Sequence, residues 1–205
     1  VRDLVQALTV VMPDGRVVRA GRPVMKNVAG YDLVRLFAGS WGSLGLMTDV
    51  TFKLSPTPRM VRTLAVPVDT LDVGLDWGRR LLPHALVASA VMLVRGGPLA
   101  DRMGAPMSLV YTAEGQPADV EAELDQVRTR LQRHGAPAFV DLETPGSTLW
   151  AEWVGQPLTE PDAQLVRAGM PVKALGPVIG ASLRSMLDGR DLLLDLANGH
   201  LFVRE

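Results

Sequence analysis

The sequence predicts an α+β protein whose character changes near residue 58. Two hairpin signals, Asp14-Gly15 and Asn198-Gly199, lie between alternating apolar and polar residues near the two ends of the chain. From residue 60 onward, strand-like and helix-like patterns alternate in units of similar length. Repeated β-α-β units with intervening hairpins are typical of a ferredoxin-like α/β plait, with antiparallel strands in one layer and helices in a second, rather than of a doubly wound parallel sheet.

The composition excludes several classes of function. Of the 205 residues, 47% are apolar and 21% are charged, as in an ordinary globular protein, and the formal net charge is −1. No basic cluster suggests nucleic-acid binding. The absence of cysteine excludes disulfides, a thiolate nucleophile and an iron–sulfur cluster on this chain. The longest apolar run, residues 85–94, is too short to span a bilayer. The chain starts at Val1 rather than Met, and we interpret it as a C-terminal fragment.

The first segment, up to residue 59, contains short elements. Residues 3–8 resemble a short helix or turn, and "TVVMPDGRVVRAG" predicts two strands joined at Asp14-Gly15. Asp32 is a good N-cap for a short helix. The predicted helix places on one face Leu33, Leu36 and Phe37. A strand follows over "LMTDVTFKLS", in which polar residues alternate with Val50, Phe52 and Leu54.

Pro56 and Pro58 mark the predicted boundary, since a helix would not continue across them. The predicted domains are therefore residues 1–59 and residues 60–205. In the second domain, strands are predicted over 60–68, 85–94, 107–114, 137–142, 164–172 and in a final hairpin. Helices are predicted over 69–82, from Pro117 to before Gly135, after a capping Ser147, and around Pro177. The helix after Pro117 has an apolar stripe formed by Val120, Leu124, Val127 and Leu131.

The charged and aromatic residues of these helices have ordinary structural interpretations. We assign Glu121, Glu123 and Asp125 to the solvated face of the long helix. Trp150 and Trp153, three residues apart on a short helix, are expected to be core residues. The three histidines lack ligand spacing, and no metal site is predicted.

The most informative stretch is "KNVAGYDLVRLFAGSWGSLGLMTDVTFKLSP", in which Gly39, Gly42 and Gly45 recur at every third residue. A dinucleotide fingerprint needs G-x-G-x-x-G after a strand and at the start of a helix, whereas here the order is helix, turn, strand. One alternative is a tight connection with glycines selected only for backbone geometry. The other is a glycine-lined extended ribbon against a flat ligand, with backbone N–H groups and the hydroxyls of Ser40 and Ser43 as hydrogen-bonding groups.

Residues 1–59 resemble the last part of the FAD-binding domain of the FAD-linked oxidases, the vanillyl-alcohol-oxidase or PCMH type. The form "VMKNVAGYDL…GSWGSLGLMTDVTFKL" is especially similar to the E-subunit family of bacterial glycolate oxidases. The resemblance implies that FAD is lined by Gly39, Ser40, Trp41, Gly42, Ser43, Leu44, Gly45, Leu46 and Met47. Secondary candidates near the cofactor are Lys26, Asn27, Gly30 and Tyr31.

The resemblance implies oxidation of a 2-hydroxy acid such as glycolate, within a complex that contains a catalytic flavoprotein subunit and an iron–sulfur subunit. The implied location is cytoplasmic, or peripheral at the inner membrane through these partners. The family's pyrophosphate loop precedes the region matched here, so the chain holds only part of an FAD site and is expected to be inactive alone.

Two departures from the family keep other functions open. Catalytic members often have Glu where this chain has Trp41, and their cap has a histidine-rich motif whose nearest counterpart here is "NGH", where we assign His200 to a strand. No catalytic residue is therefore assigned. The alternatives are a non-catalytic assembly module with a purely structural glycine turn, or a catalytic D-lactate-type dehydrogenase.

Overall fold

The computed structural model describes residues 2–22, 31–158 and 162–204. The chain divides into two compact units, Val1–Thr57 and Pro58–Glu205. Among the described residues, no helix is both long enough and apolar enough to cross a membrane.

The first unit is a three-stranded antiparallel sheet with one short helix. Its strands are β1 (Val5–Val11), β2 (Val17–Gly21) and β3 (Leu46–Phe52), in the order β2-β1-β3, and its helix is α1 (Leu33–Phe37). The helix or turn predicted over residues 3–8 is confined to a 3₁₀ turn at Arg2–Leu4. Strand β1 begins at Val5 because its backbone pairs with both neighbouring strands, and such long-range pairing overrides local helix propensity.

Two local predictions for this unit are confirmed, namely the turn between β1 and β2 and the N-cap of α1. Gly15 adopts a φ of +84° between β1 and β2, and its N–H donates to the Met12 carbonyl at 2.9 Å. The Asp32 carboxylate accepts a hydrogen bond of 3.0 Å from the Arg35 N–H and caps α1.

The predicted apolar faces of α1 and β3 are partly wrong. Helix α1 buries Val34 and Phe37 against Leu8, Val10 and Ala20, whereas Leu36 is 54% exposed. Every residue of β3 is exposed, including Val50 and Phe52 of the alternating apolar pattern. The reason is that α1 packs on β1 and β2 and leaves β3, an edge strand, uncovered within this unit.

The second unit is built on a seven-stranded antiparallel sheet. Its strands are β4 (Met60–Pro67), β5 (Ala88–Arg95), β6 (Met107–Gly115), β7 (Val140–Leu142), β8 (Leu165–Gly169), β9 (Leu192–Asp195) and β10 (His200–Arg204). Its helices are α2 (Leu71–Leu81), α3 (Gly97–Met103), α4 (Pro117–Arg133), α5 (Gly146–Val154), α6 (Leu175–Val178) and α7 (Arg184–Leu187), with a π-helical turn at Ile179–Leu183 between the last two.

The strand order confirms the ferredoxin-like plait. The order in the sheet is β7-β4-β6-β5-β9-β10-β8, and each neighbouring pair is antiparallel. The β4-α2-β5-β6-α4-β7 part has the plait's chain order and its spatial order, β7-β4-β6-β5. Strands β9, β10 and β8 extend the sheet beyond β5.

The sheet carries helices on both faces, which corrects the predicted two layers to three. Alternate residues of β5 belong to two hydrophobic cores, one on each face of the sheet. Val91 and Leu93 pack with α2, α4 and the helical region of residues 175–187. Met92 and Val94 pack with α3 and α5. Helix α3 was not predicted. It starts at Gly97-Pro98, a pair that reads as a turn in the sequence, although proline is also favoured in the first helical turn.

The helix and strand boundaries differ from prediction in detail. Helix α4 is confirmed, with its apolar stripe buried. Helix α2 begins after Thr70, whose hydroxyl accepts from the Val73 N–H at 3.3 Å, rather than at Asp69. Ser147 does not cap α5, which begins at Gly146 with no side-chain cap. Strands β7 and β8 are shorter than predicted. The final hairpin, which turns at Asn198-Gly199, is confirmed.

The assignment of Glu123 to the solvated face is wrong. Glu121 and Asp125 are exposed, but Glu123 is only 5% exposed. Its carboxylate accepts hydrogen bonds from the Tyr111 hydroxyl at 2.7 Å and from the N–H groups of Leu86 and Val87 at 2.8 and 2.9 Å. Glu123 therefore joins α4 to β6 and to the segment that precedes β5.

Candidate functional site

The glycine-rich segment connects α1 to β3 through two consecutive turns. The Ser40 N–H donates to the Phe37 carbonyl and the Ser43 N–H to the Ser40 carbonyl, both at 3.0 Å. The Ser43 hydroxyl donates to the same Ser40 carbonyl at 2.6 Å. The chain here is compact, rather than the extended ribbon that the glycine spacing suggested.

Gly39 and Gly42 adopt backbone conformations that favour glycine and face open space. Their φ angles are +94° and +76°, and no heavy atom lies within 4 Å of the place where a Cβ would stand. Between them, Trp41 has a φ of +55°, which is unfavourable for a side chain of this size, and it is 99% exposed. This part of the turn is therefore shaped by backbone geometry and leaves free volume beside it.

Gly45 has a different role. A Cβ at this position would stand 2.6 Å from Val10 Cγ1 and 2.8 Å from the Val11 carbonyl oxygen of the neighbouring strand β1. Glycine is required here because the backbone approaches β1 closely. Of the three regularly spaced glycines, two border open volume and one permits packing.

An apolar cleft lies beside this turn. Its volume is about 460 Å³, and it is lined by Val5, Leu8, Arg35, Leu36, Ala38, Gly39, Met47, Val50 and Phe52. Among the predicted cofactor residues that the structure describes, two line the cleft, Gly39 and Met47. Arg35, which lies in its wall, forms ion pairs with Asp3 and Asp32 at 3.2 and 3.4 Å.

The remaining predicted site residues are distributed around the turn. Leu44 is 37% exposed and Leu46 is 69% exposed. Tyr31 precedes α1 and is 97% exposed. Lys26, Asn27 and Gly30 lie outside the described residues.

The second unit contains a cleft that the sequence did not reveal. It lies on the sheet face that carries α5, has a volume of about 380 Å³, and is lined by Ser89, Ala90, Met92, Glu114, Gly146, Ser147, Trp150 and Asp195. The sequence holds no signal for it because the lining comes from four elements that are distant in the chain. Within the described ranges, no three His, Asp or Glu residues converge as a metal site would require.

Comparison with known proteins identifies the relatives of this chain. It is 49% identical over 86 residues to glycolate oxidase subunit GlcE of Escherichia coli (strain K12), covering 40% of this chain and 25% of that protein. It is 45% identical over 73 residues to subunit GlcD of Bacillus subtilis (strain 168), covering 36% and 16%. It is 29% identical over 213 residues to the mitochondrial D-lactate dehydrogenase [cytochrome] of Arabidopsis thaliana, covering 94% and 36%. The chain thus spans no more than about a third of these relatives. No family model matches it.

Solved structures support the fold independently. The chain aligns over 98% of its length with p-cresol methylhydroxylase with substrate bound, with a TM-score of 0.66 and 14% identity, and covers 51% of that chain. A 4-ethylphenol oxidase from Gulosibacter chungangensis gives a TM-score of 0.64 at 15% identity, with coverage of 98% and 51%. The resemblance to the FAD-linked oxidases is therefore confirmed, in sequence by glycolate oxidase subunits and D-lactate dehydrogenases and in fold by oxidases of the p-cresol methylhydroxylase type.

Proposed function

We propose that this chain is part of an FAD-dependent oxidoreductase that oxidises a 2-hydroxy acid, with glycolate as the leading substrate. The observation that carries the proposal is the open backbone at Gly39 and Gly42, in a chain whose relatives are named glycolate oxidase subunits and D-lactate dehydrogenases. D-lactate is the second candidate substrate.

The residues around the glycine turn fit a flat cofactor. Gly39 lines an apolar cleft, Gly42 faces open space, and the fully exposed Trp41 provides an aromatic surface. Backbone from Gly39 to Met47 would hold one side of FAD, with Lys26, Asn27, Gly30 and Tyr31 as secondary contacts. FAD supplies the two-electron chemistry by which a hydroxyl-bearing carbon is oxidised. The chain's own groups bind and orient the cofactor.

The proposed division of the chain assigns residues 1–59 to the end of the FAD-binding domain and residues 60–205 to a cap domain. The proposed partners are a catalytic flavoprotein subunit and an iron–sulfur subunit. These 205 residues contain no cysteine, so the usual thiolate ligands of a cluster would have to come from outside them. We place the assembly in the cytoplasm, or at the inner membrane through its partners.

Three glycine substitutions in the full gene product test the cofactor site. We expect Gly39→Ala and Gly42→Ala each to weaken FAD binding at least tenfold, because the new methyl group enters the proposed cofactor volume. Gly15→Ala is the matched control: Gly15 has a φ of +84° and equally open surroundings, but it lies in the β1–β2 hairpin. Each of the three substitutions should lower the free energy of unfolding by roughly 1 kcal/mol, because alanine is strained at the positive φ of these positions. The readout is FAD content, from visible absorbance, and the dissociation constant of FAD.

The outcomes separate the proposed functions. Equal FAD binding by the Gly15 and Gly42 variants would place the cofactor elsewhere. A full gene product that binds no FAD would favour the assembly module, in which the glycines serve only the turn. If FAD binds, the ratio of kcat/KM for glycolate and D-lactate distinguishes the two substrates.

A further inference from the structure

A polar groove lies on the surface of α4, the long helix of the second unit. Its volume is about 320 Å³, and it is lined by Asp125, Gln126, Thr129, Arg130 and Arg133. None of these side chains belongs to the stripe of α4 that is buried on the sheet. The groove is therefore on the solvent side of α4, and α4 packs on the face of the sheet opposite to α5.

Two arginines of the groove have no carboxylate partner among the described residues. Arg80 of α2 pairs with Asp76 at 2.7 Å, but no comparable ion pair involves Arg130 or Arg133 within the described ranges. The two arginines are three residues apart on α4, so their charges are neighbours on the helix surface and repel each other. An anion bound between them would remove this repulsion.

Arg130 also has a donor that the protein does not use. Its side chain is half-buried, and its Nε is buried and donates no hydrogen bond to the residues that the structure describes. A buried donor without an acceptor is unfavourable and uncommon in folded proteins. The edge of a guanidinium formed by Nε and Nη binds two oxygens of one anion at once. An anion in the groove would supply the missing acceptors after a turn of the guanidinium plane.

The helix dipole explains only part of this arrangement. Arg130 and Arg133 lie in the last turn of α4, where positive charge is favourable. This accounts for the sign of the two charges, but it accounts neither for the groove between them nor for the missing acceptors. The carboxylate of the groove, Asp125, forms an ion pair with Arg128 at 3.4 Å. The positive charge of the two arginines is therefore in excess.

The lining indicates the chemistry of the ligand. Two guanidiniums suit a doubly charged anion such as phosphate better than a monoanion, because each can form charge-assisted hydrogen bonds to it. The Gln126 amide and the Thr129 hydroxyl both donate and accept hydrogen bonds, and the Asp125 carboxylate accepts them. These groups match hydroxyls, and the groove is larger than a bare phosphate ion requires.

We propose that this groove binds the phosphate monoester of a small hydroxylated molecule. Arg130 and Arg133 hold the phosphate, and the side chains of Asp125, Gln126 and Thr129 meet the hydroxyls. The site is formed by α4 alone. It shares no residue with the proposed cofactor site and needs no flavin.

The test is a titration of the full gene product with glycerol 3-phosphate at constant ionic strength, which keeps general charge screening fixed. The protein is isotopically labelled at the arginine nitrogens, and Arg130→Gln identifies the Nε–H resonance of Arg130. We expect this resonance to shift with saturation, and Arg133→Gln to raise the dissociation constant at least tenfold. Arg80→Gln removes the same charge from an exposed ion pair on α2 and should leave the dissociation constant unchanged.

The other outcomes are equally informative. A shift that grows linearly without saturation, or equal weakening by Arg133→Gln and Arg80→Gln, would overturn the site, since either result indicates general attraction of anions. Equal affinity for inorganic phosphate and glycerol 3-phosphate would overturn the monoester assignment, since the hydroxyls would then contribute nothing. Unchanged thermal unfolding of the Arg133→Gln protein excludes a folding defect. The titration does not depend on FAD, so its failure leaves the flavin measurements standing.

Discussion

Replacement of Glu123 by alanine is expected to lower the free energy of unfolding by roughly 3 kcal/mol, because one buried hydroxyl and two partly buried backbone N–H groups lose their acceptor at once. These donors are the Tyr111 hydroxyl and the N–H groups of Leu86 and Val87. Tyr111 is itself only 2% exposed, so water cannot readily replace the carboxylate. The measurement is urea-induced unfolding monitored by fluorescence and circular dichroism.

Two further variants identify the source of the loss. Glu121→Ala removes the same side chain from an exposed position on α4 and should change stability by less than about 0.5 kcal/mol. Tyr111→Phe should cost about 1 kcal/mol, since the carboxylate keeps its two backbone donors. Equal losses for the alanine variants at positions 121 and 123 would show that the buried network contributes nothing beyond helix propensity.

The same network predicts a loss of stability in alkali. Burial raises the pKa of Tyr111 above its ordinary value of 10.0, and the hydrogen bond to Glu123 raises the pKa further. The folded state therefore retains the phenolic proton at a pH at which the unfolded chain releases it, so stability falls as pH rises above 10. We expect this decline to be shallower in Tyr111→Phe, as measured by unfolding at several alkaline pH values.

Replacement of Trp153 by alanine is expected to cost about 4 kcal/mol, the second large effect. The side chain is 1% exposed and fills the core between α5 and the sheet. Its Nε1–H donates to the Arg95 carbonyl at 3.3 Å, and the Arg204 guanidinium lies 5.0 Å from the ring centroid. Arg204 also donates hydrogen bonds to carbonyls at the end of α5. Loss of the Trp153 ring removes the surface on which the Arg204 guanidinium packs, and these hydrogen bonds are therefore weakened as well.

Trp150 is the matched control for Trp153. It lies on the same helix but is 36% exposed and contacts Phe202 edge-on. We expect Trp150→Ala to cost no more than half as much, in the same urea experiment, because less apolar surface is removed from the core. Similar losses at the two positions would contradict the burial difference between them.

Local patterns in the sequence determined most of the elements of this protein. The hairpin at Asp14-Gly15 and the Asp32 cap depend on neighbouring residues alone, and both were predictable. The stripe of α4 follows helical periodicity, which is a property of one segment. The plait was also predictable, because the order of strands and helices along the chain restricts the ways in which they can pack.

The burial of Glu123 follows only in part from the sequence of α4. Glu123 lies three residues after Val120 and four before Val127, so helical spacing alone places it on the buried stripe. Its charge led to the solvated assignment, since carboxylates are seldom buried without partners. Those partners come from β6 and from the segment before β5, and nothing in α4 itself reveals them.

The sequence by itself determined the hairpins, the long helix, the plait and the glycine-rich segment as a candidate cofactor wall. Only the tertiary structure decided that Gly45 is needed for contact with β1 while Gly39 and Gly42 face open volume. It also decided that β3 is exposed. The physical reason is that periodicity and turn chemistry act between residues close in the chain, whereas burial, close approach and the pairing of charges depend on strands that meet only after folding.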